Sequence, residues 1–341
     1  MLYNFGSVNW RYLMRVVIAA LAVVSLGSLP LVAQSSGKTV AKSAKAWSAP
    51  RTADGAPDLT GDWTNATYTP LERPANMAGK EFFTPEEAEA FVKSRDENFN
   101  NQASDDIHYD NALWQSENYK KGVNSLRTSL IVDPADGRIP PLVEAARNRA
   151  AGPVVGEGQN LRRADSFENR TLAERCITWG NDGPPMMPVG YNANLDILQG
   201  PGYVIVRNEM IHSARLIPTE SNRPHLSEKI RNWSGDSRGH WEGNTLVVET
   251  TNFNSKTRFR NSTAALKVTE RFTRTDTDTI EYKFTVEDPN TWTRPWTAAV
   301  PLRKVPGPIY EYACHEGNYG LPNILRAQRV EDAKAAKGVT D

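Results

Sequence analysis

The chain has 341 residues, and its 40 Lys and Arg balance 40 Asp and Glu, so the formal net charge is zero and no basic block stands out. A nucleic-acid partner would leave an electrostatic footprint that this balance lacks. The length suits one large domain or two small ones.

Arg11 and Arg15 precede an uncharged apolar run from Val16 to Val24. Gly27, Ser28 and Pro30 then break any helix, and Leu31-Val32-Ala33 places a small residue just before Gln34. That order predicts a signal peptide over residues 1–33. The competing reading is an uncleaved anchor, because the apolar run through Ala33 approaches spanning length; Pro30 and the Gly-Ser break weigh against it. No Cys lies near the cleavage point to carry a lipid, and the two arginines are not adjacent, so neither a lipid anchor nor a twin-arginine address is expected. The protein is expected in the periplasm or outside the cell. Residues 34–56, rich at first in Ser, Ala and Lys, read as a flexible leader. No second apolar span follows, so stable membrane insertion after cleavage is not expected.

Residues 57–341 read as a single β-rich domain in three parts. The first, 57–200, is mixed. Pro57 to Trp63 resembles a short strand. Thr84-Pro85-Glu86-Glu87 starts a helix: Thr84 caps, Pro85 takes the first helical position and Glu87 closes a capping box. Residues 100–125 have no period. Ser129 to Pro134 is a strand ending in a turn, Leu142 to Ala151 a short helix, and 152–195 a Gly-, Pro- and Asn-rich loop of a length that is more often functional than accidental.

The second part, 201–322, has strands at Tyr203–Val206, Glu209–Ile217, Leu246–Thr251, Lys267–Arg274, Ile280–Glu287, Trp296–Arg303 and Ile309–Ala313, with Trp241 to Thr245 as a tight hairpin turn. This is an antiparallel meander. A meander of that size must close or pack on another sheet, since open edges invite association. The third part, 323–341, is one amphipathic helix docked outside. The fold class is thus mainly β, a closed antiparallel barrel with a few peripheral helices. Cys176 and Cys314, an isolated pair in an oxidising compartment, most simply form one disulfide. The alternative is two unrelated thiols, with Cys314-His315 on a metal.

PDLTGDW, IVDPADGRIPP, GDSRGHWEGNTLVVETTNF, VEDPNTWTRPW and YEYACHEGNY resemble stretches of a group of exported bacterial proteins of unknown function, frequent in environmental bacteria. The resemblance runs from about Pro57 to Leu325. It implies export and a β-rich domain and carries no activity, so it assigns no residue a role. Gly61-Asp62-Trp63 also resembles the Gly-x-Trp strand that opens lipocalin-like barrels, whose Trp plugs one barrel end. That implies a ligand-holding barrel, although such a barrel needs only about half of this chain.

Strand alternation singles out polar groups on apolar faces. Glu270 shares a face with Leu266, Val268 and Phe272. Asp288 closes the apolar face of Ile280 to Glu287. His212 shares a face with Met210, Ala214 and Leu216 if that stretch is a strand. A buried carboxylate needs a partner or shifts its pKa, and such groups cluster at functional sites. The plainer reading pairs each with an arginine, Arg215, Arg271 or Arg294, near a sheet rim. His315 and Glu316, next to Cys314, form a second candidate pair for acid–base work, against the plainer reading of a turn whose polar groups cap backbone. The metal spacing His-Glu-x-x-His is absent. Trp241, Trp292, Arg294, Trp296 and Tyr310 could stack a sugar or aryl ligand at a mouth, or simply fill the barrel ends. Asp236 to His240 contains Ser, His and Asp, yet without a nucleophile elbow it does not make a triad.

The expectation is a barrel holding a small carbohydrate, aromatic or apolar ligand. It would be an enzyme without organic cofactor, acting through His212, Glu270, Asp288, His315 and Glu316, or a binding module, or an envelope scaffold; whether a metal is bound stays open. The substrate and the oligomeric state stay open.

Overall fold

The computed structural model describes residues 47–100, 125–149, 164–180, 182–220, 223–256 and 259–338. The expected signal peptide, most of the leader, residues 101–124 and the start of the Gly/Pro-rich segment lie outside these residues. No helix among the described residues is long and apolar enough to cross a membrane.

The domain is one antiparallel sheet wrapped into a nearly closed barrel. Its strands are β1 (Gly61–Thr64), β2 (Ile131–Asp133), β3 (Asn194–Gly200), β4 (Tyr203–Asn208) and β5 (Ala214–Pro218), followed by β6 (Asp236–Glu242), β7 (Thr245–Thr251), β8 (Lys267–Arg274), β9 (Thr279–Glu287) and β10 (Trp296–Lys304). The spatial order is β5-β4-β3-β1-β10-β9-β8-β7-β6. One edge of β10 pairs with β9; the other is shared by β1 near Lys304 and by β2 near Thr297. The last strands follow the chain from hairpin to hairpin because β8, β9 and β10 alternate without a break, and each buries every second side chain. That period of two puts one face inside.

β5 and β6 end the sheet and lie side by side without a hydrogen-bonded ladder. They approach closely at Gly239, where an added Cβ would stand 3.0 Å from Ile217 Cγ2 and 3.3 Å from that of Thr219. A side chain there would crowd both neighbours, so glycine suits the close approach of the two edges.

Aromatic rings fill the interior. Trp63, Phe272, Tyr282, Phe284 and Trp296 are fully buried. At the end carrying the β8–β9 hairpin, Trp63 donates from Nε1 to the Leu59 carbonyl at 3.0 Å, and the Arg274 guanidinium lies 5.6 Å above its ring. Arg274 also donates to the carbonyls of Asp58 and Thr277, so the charge is tied to backbone as it covers that end. Trp296 lies at the other end, edge-on to Trp292 at 5.9 Å and stacked near Phe259 at 6.2 Å.

Three helices lie outside the sheet among the described residues: α1 (Pro85–Asn100), α2 (Glu144–Arg147) and α3 (Gly320–Ala336). The expected capping box is formed, with the Glu87 amide donating to Thr84 Oγ1 at 3.2 Å and the Thr84 amide to Glu87 Oε2 at 2.8 Å. α3 buries no residue and is attached by side chains, Gln328 accepting from the Ala164 amide at 3.2 Å and Arg329 donating to the Asp165 carbonyl.

Two expected strands are corrected. The expected strand Glu209–Ile217 is broken by a tight turn, Met210–His212, in which Ile211 and His212 take positive φ of 58° and 44°. The turn resets the alternation, so Arg215 and Ile217 of β5 point inward while Ala214 and Leu216 face out. Ile309 to Ala313 is irregular, and no pairing partner reaches it among the described residues.

Candidate functional site

The interior of the barrel holds a polar network. Glu270 on β8 is fully buried and takes a two-pronged ion pair from Arg215 on β5, at 2.5 and 2.9 Å. The Tyr282 hydroxyl donates to the same carboxylate at 2.8 Å and accepts from the Met186 amide at 2.9 Å. Burial and the adjoining Glu270 charge push the Tyr282 hydroxyl well above its usual range, so it stays a neutral donor. The pair crosses the barrel and ties β5 to β8, spanning the seam between β5 and β6 that backbone hydrogen bonds leave open.

Beside it, Asp182 is 3% exposed, accepting from Thr178 Oγ1 at 2.8 and 2.9 Å and from the Trp179 amide at 3.1 Å. The Asn208 amide group donates to the Asp182 carbonyl at 3.0 Å. Burial pushes its carboxyl up to about 6, against the pull of those hydrogen bonds and of Arg215. A carboxyl raised from 3.8 holds its proton more tightly when folded. The stabilisation is therefore full below pH ~4 and is lost as pH rises through about 6. The difference of 6 less 3.8 corresponds to at most about 3 kcal/mol at neutral pH. Asp182→Asn keeps the shape and an acceptor for Trp179 without the charge. It is expected to raise stability at pH 7 by about 1–3 kcal/mol and to match the parent at pH 4. Urea midpoints at the two pH values check this; a variant less stable at pH 7 contradicts it.

The five acid–base candidates do not converge. Glu270 is interior, as its parity predicts, and is neutralised by Arg215. Asp288 is buried at the end of β9 and serves as a cap, accepting from the Thr263 amide, Thr263 Oγ1, the Asn290 amide and Thr291 Oγ1 at 2.5–3.1 Å. His212 is moved out of the barrel by the Met210–His212 turn; its ring is 42% exposed, with Nδ1 3.0 Å from the Tyr312 carbonyl and 3.6 Å from Glu311 Oε1. The expected triple of His212, Glu270 and Asp288 in one interior is thereby corrected. His315 and Glu316 are exposed in the turn after Cys314, and no side-chain hydrogen bond or ion pair engages them among the described residues.

The aromatic set is likewise divided. Trp292 and Trp296 are core residues that fill the barrel end, and Trp241 packs half-buried against the core. Arg294 is exposed and paired with Asp133 at 2.7 and 2.8 Å, and Tyr310 is 78% exposed. They line no common mouth, because strand pairing sends Trp296 inward and leaves Tyr310 on an irregular segment.

The expected disulfide is present, Cys176 to Cys314. It fastens the Gly/Pro-rich segment beside residues 311–318, where Asn318 donates to the Glu174 carbonyl at 2.7 Å. From that anchor the segment runs to Met186, which enters the core fully buried, and to Met187, which packs against it.

Met187 forms part of the floor of a cleft of about 350 Å³ with Leu71 and Leu130. Tyr68, Pro70 and Pro188 wall it, Thr67 and Thr69 line it, and Arg95 of α1 supplies its lip. The Asn65 side chain, donating to the Met187 carbonyl at 3.1 Å, holds the two walls together. A second groove, about 430 Å³, runs over the outer face of β9 and β10 past Lys283, Glu281 and Arg127. Its cations are already matched, Lys283 to Glu281 and Arg127 to Glu81.

One further titratable pair lies on the outer wall. Asp62 and Asp196 are direct partners across β1 and β3. A hydrogen bond shared with Asp196, then burial and the Asp196 charge, push Asp62 up to about 6, against Arg207 and Lys304. Neither residue lines the cleft or the groove.

Sequence reasoning missed Asp182, Tyr282 and the cleft, and named Arg215 only as a possible partner. Met187 carried a signal, since the long Gly/Pro-rich segment stood out. Arg95 carried none, being one charge among many on a helix. Comparison with models of known protein families and with curated proteins finds no match to this chain.

Proposed function

We propose that the protein is an exported binding module that holds a small molecule in the cleft between Tyr68 and Met187, by recognition without catalysis. Export is supported by the signal-peptide order of residues 1–33 and by the Cys176–Cys314 disulfide, a bond that persists in oxidising compartments. The motifs that resemble exported bacterial proteins of unknown function agree with that placement and add no activity.

The observation that carries the binding reading is the cleft itself. Its floor of Leu71, Leu130 and Met187 is continuous with the barrel core, so an apolar surface is left open on a rigid base. Concave, mostly apolar sites with a few polar groups are the usual form of small-molecule sites, and about 350 Å³ falls at the small end of their range. The barrel lumen offers less, since rings and Met186 occupy it; the ligand expected inside belongs at the flank. Catalysis would need titratable groups converging on one cavity, and the five candidates point to separate places.

A methionine-methyl NMR screen of the mature protein with small aryl, sugar and aliphatic compounds tests the reading. Hits are expected to shift the Met187 methyl and to leave that of Met210, buried in the turn before β5, unmoved. A screen in which no compound shifts Met187 rejects the cleft as the site.

A further inference from the structure

We infer that the ligand of this cleft is a small organic monocarboxylate with an apolar body, its carboxylate held by Arg95 and Thr69; the inference rests on the cleft being the binding site. The cleft presents donors that the protein leaves without acceptors. Thr69 is only 8% exposed, yet its hydroxyl has no hydrogen-bond partner among the described residues; its backbone amide is the group that donates, to Thr67 Oγ1 at 3.2 Å. Arg95 is the single charged residue of the lining, and no carboxylate is paired with it among the described residues. Its guanidinium rests 5.2 Å from the centre of the Phe91 ring, a face contact that holds the charge, and its N–H fork has no acceptor among the described residues.

The acids nearby on α1 are engaged elsewhere. Asp96 accepts from the Tyr68 hydroxyl at 3.1 Å, and Glu97 lies 3.9 Å from Lys93. An acceptor entering the cleft therefore meets an uncompensated cation and an idle hydroxyl. A planar carboxylate matches the guanidinium fork, and one cation balances one negative charge. A phosphate dianion would call for more positive charge than this lining holds. The remaining surface asks for hydrocarbon: Leu71, Leu130 and Met187 below, Pro70 and Pro188 at the sides. The larger groove makes the contrast, for there every lining cation already has its carboxylate.

The test compares phenylacetate with phenylacetamide, and hexanoate with hexanamide, read by the Met187 methyl shift in the mature protein. The acids are expected to bind about tenfold or more tightly than the amides, and to weaken with added salt. Arg95→Gln is expected to remove that preference, Arg95→Lys to restore part of it, and Thr69→Val to weaken acids several-fold. Arg95 is exposed on a helix face, so Arg95→Gln should melt with the parent protein. Amides that bind as tightly as acids, or an Arg95→Gln variant that still prefers acids, overturn the carboxylate assignment and leave the cleft standing. Failure of all four compounds to shift Met187 overturns the assignment and the cleft together.

Discussion

Replacing Glu270 with alanine is expected to lower unfolding free energy by about 3–5 kcal/mol, because it strands Arg215 as a buried charge. Arg215 and Glu270 are 7% and 0% exposed at their side chains, so water cannot take over the lost partner. Arg215 Nε already lacks a hydrogen-bond partner, and losing both Glu270 contacts would leave the guanidinium almost bare. Tyr282 would keep the Met186 amide as its donor but lose its acceptor. Arg215→Met with Glu270→Leu removes both charges and fills the space. That pair should recover most of the loss, since hydrophobic replacement of a whole buried ion pair is often neutral or stabilising.

The cycle also separates two roles. If the ion pair contributes only by avoiding an unpaired charge, the double variant matches the parent in stability and in amide-exchange protection. If it also holds β5 to β6, the double variant keeps its urea midpoint while amides of β5 and β6 exchange faster. Asp182 is the other carboxylate acting on Arg215, so Asp182→Asn in the Glu270→Ala background should destabilise, the reverse of its effect in the parent. A Glu270→Ala loss below about 1 kcal/mol, against the 3–5 expected, would show that the network contributes little.

The same residues show where the sequence could be read and where it could not. β8 and β9 alternate strictly, and a period of two needs no tertiary information to assign an inner face. Glu270 was placed inward on that basis and lies in the interior; Asp288 is buried as well, but at the strand end, where it caps backbone. The alternation of β5 failed because its reference point was wrong. Ile211 and His212 adopt left-handed backbone angles that favour Gly or Asn, so their side chains gave no hint of the turn. One hidden turn inverted the face, so Arg215 was named as a possible partner but not placed inside. The seam was also silent, since pairing of distant edges leaves no local pattern. The disulfide was legible from the even cysteine count and the expected compartment. The cleft was not, because it forms where four separated segments meet, and Thr69 and Arg95 look like ordinary surface residues until each side chain is seen to lack an acceptor among the described residues.

Changing both cysteines to serine should have the second large effect, up to about 5 kcal/mol. The bond spans a sequence separation of 138 residues, and the chain-entropy relation gives about 5 kcal/mol for a loop that long. The segment it fastens is also held by other contacts. Between Cys176 and β3 these include the Met186 amide to Tyr282, the Asn208 side chain to the Asp182 carbonyl, and Asn65 to the Met187 carbonyl. At the other end, His212 and Asn318 hold residues 312–318 through the Tyr312 and Glu174 carbonyls. Removing the bridge should therefore act at two levels. Global unfolding should need less urea, and amides of residues 164–190 should exchange faster even under conditions where the barrel strands stay protected. Met187 is in that stretch, so a cleft ligand should bind more weakly to the serine variant although no lining residue has changed. Reduction of the parent protein under the same conditions should reproduce each effect. A serine variant within about 1 kcal/mol of the parent, with unchanged exchange over 164–190, would mean that the segment is held by its own packing and that the bridge is incidental to the cleft.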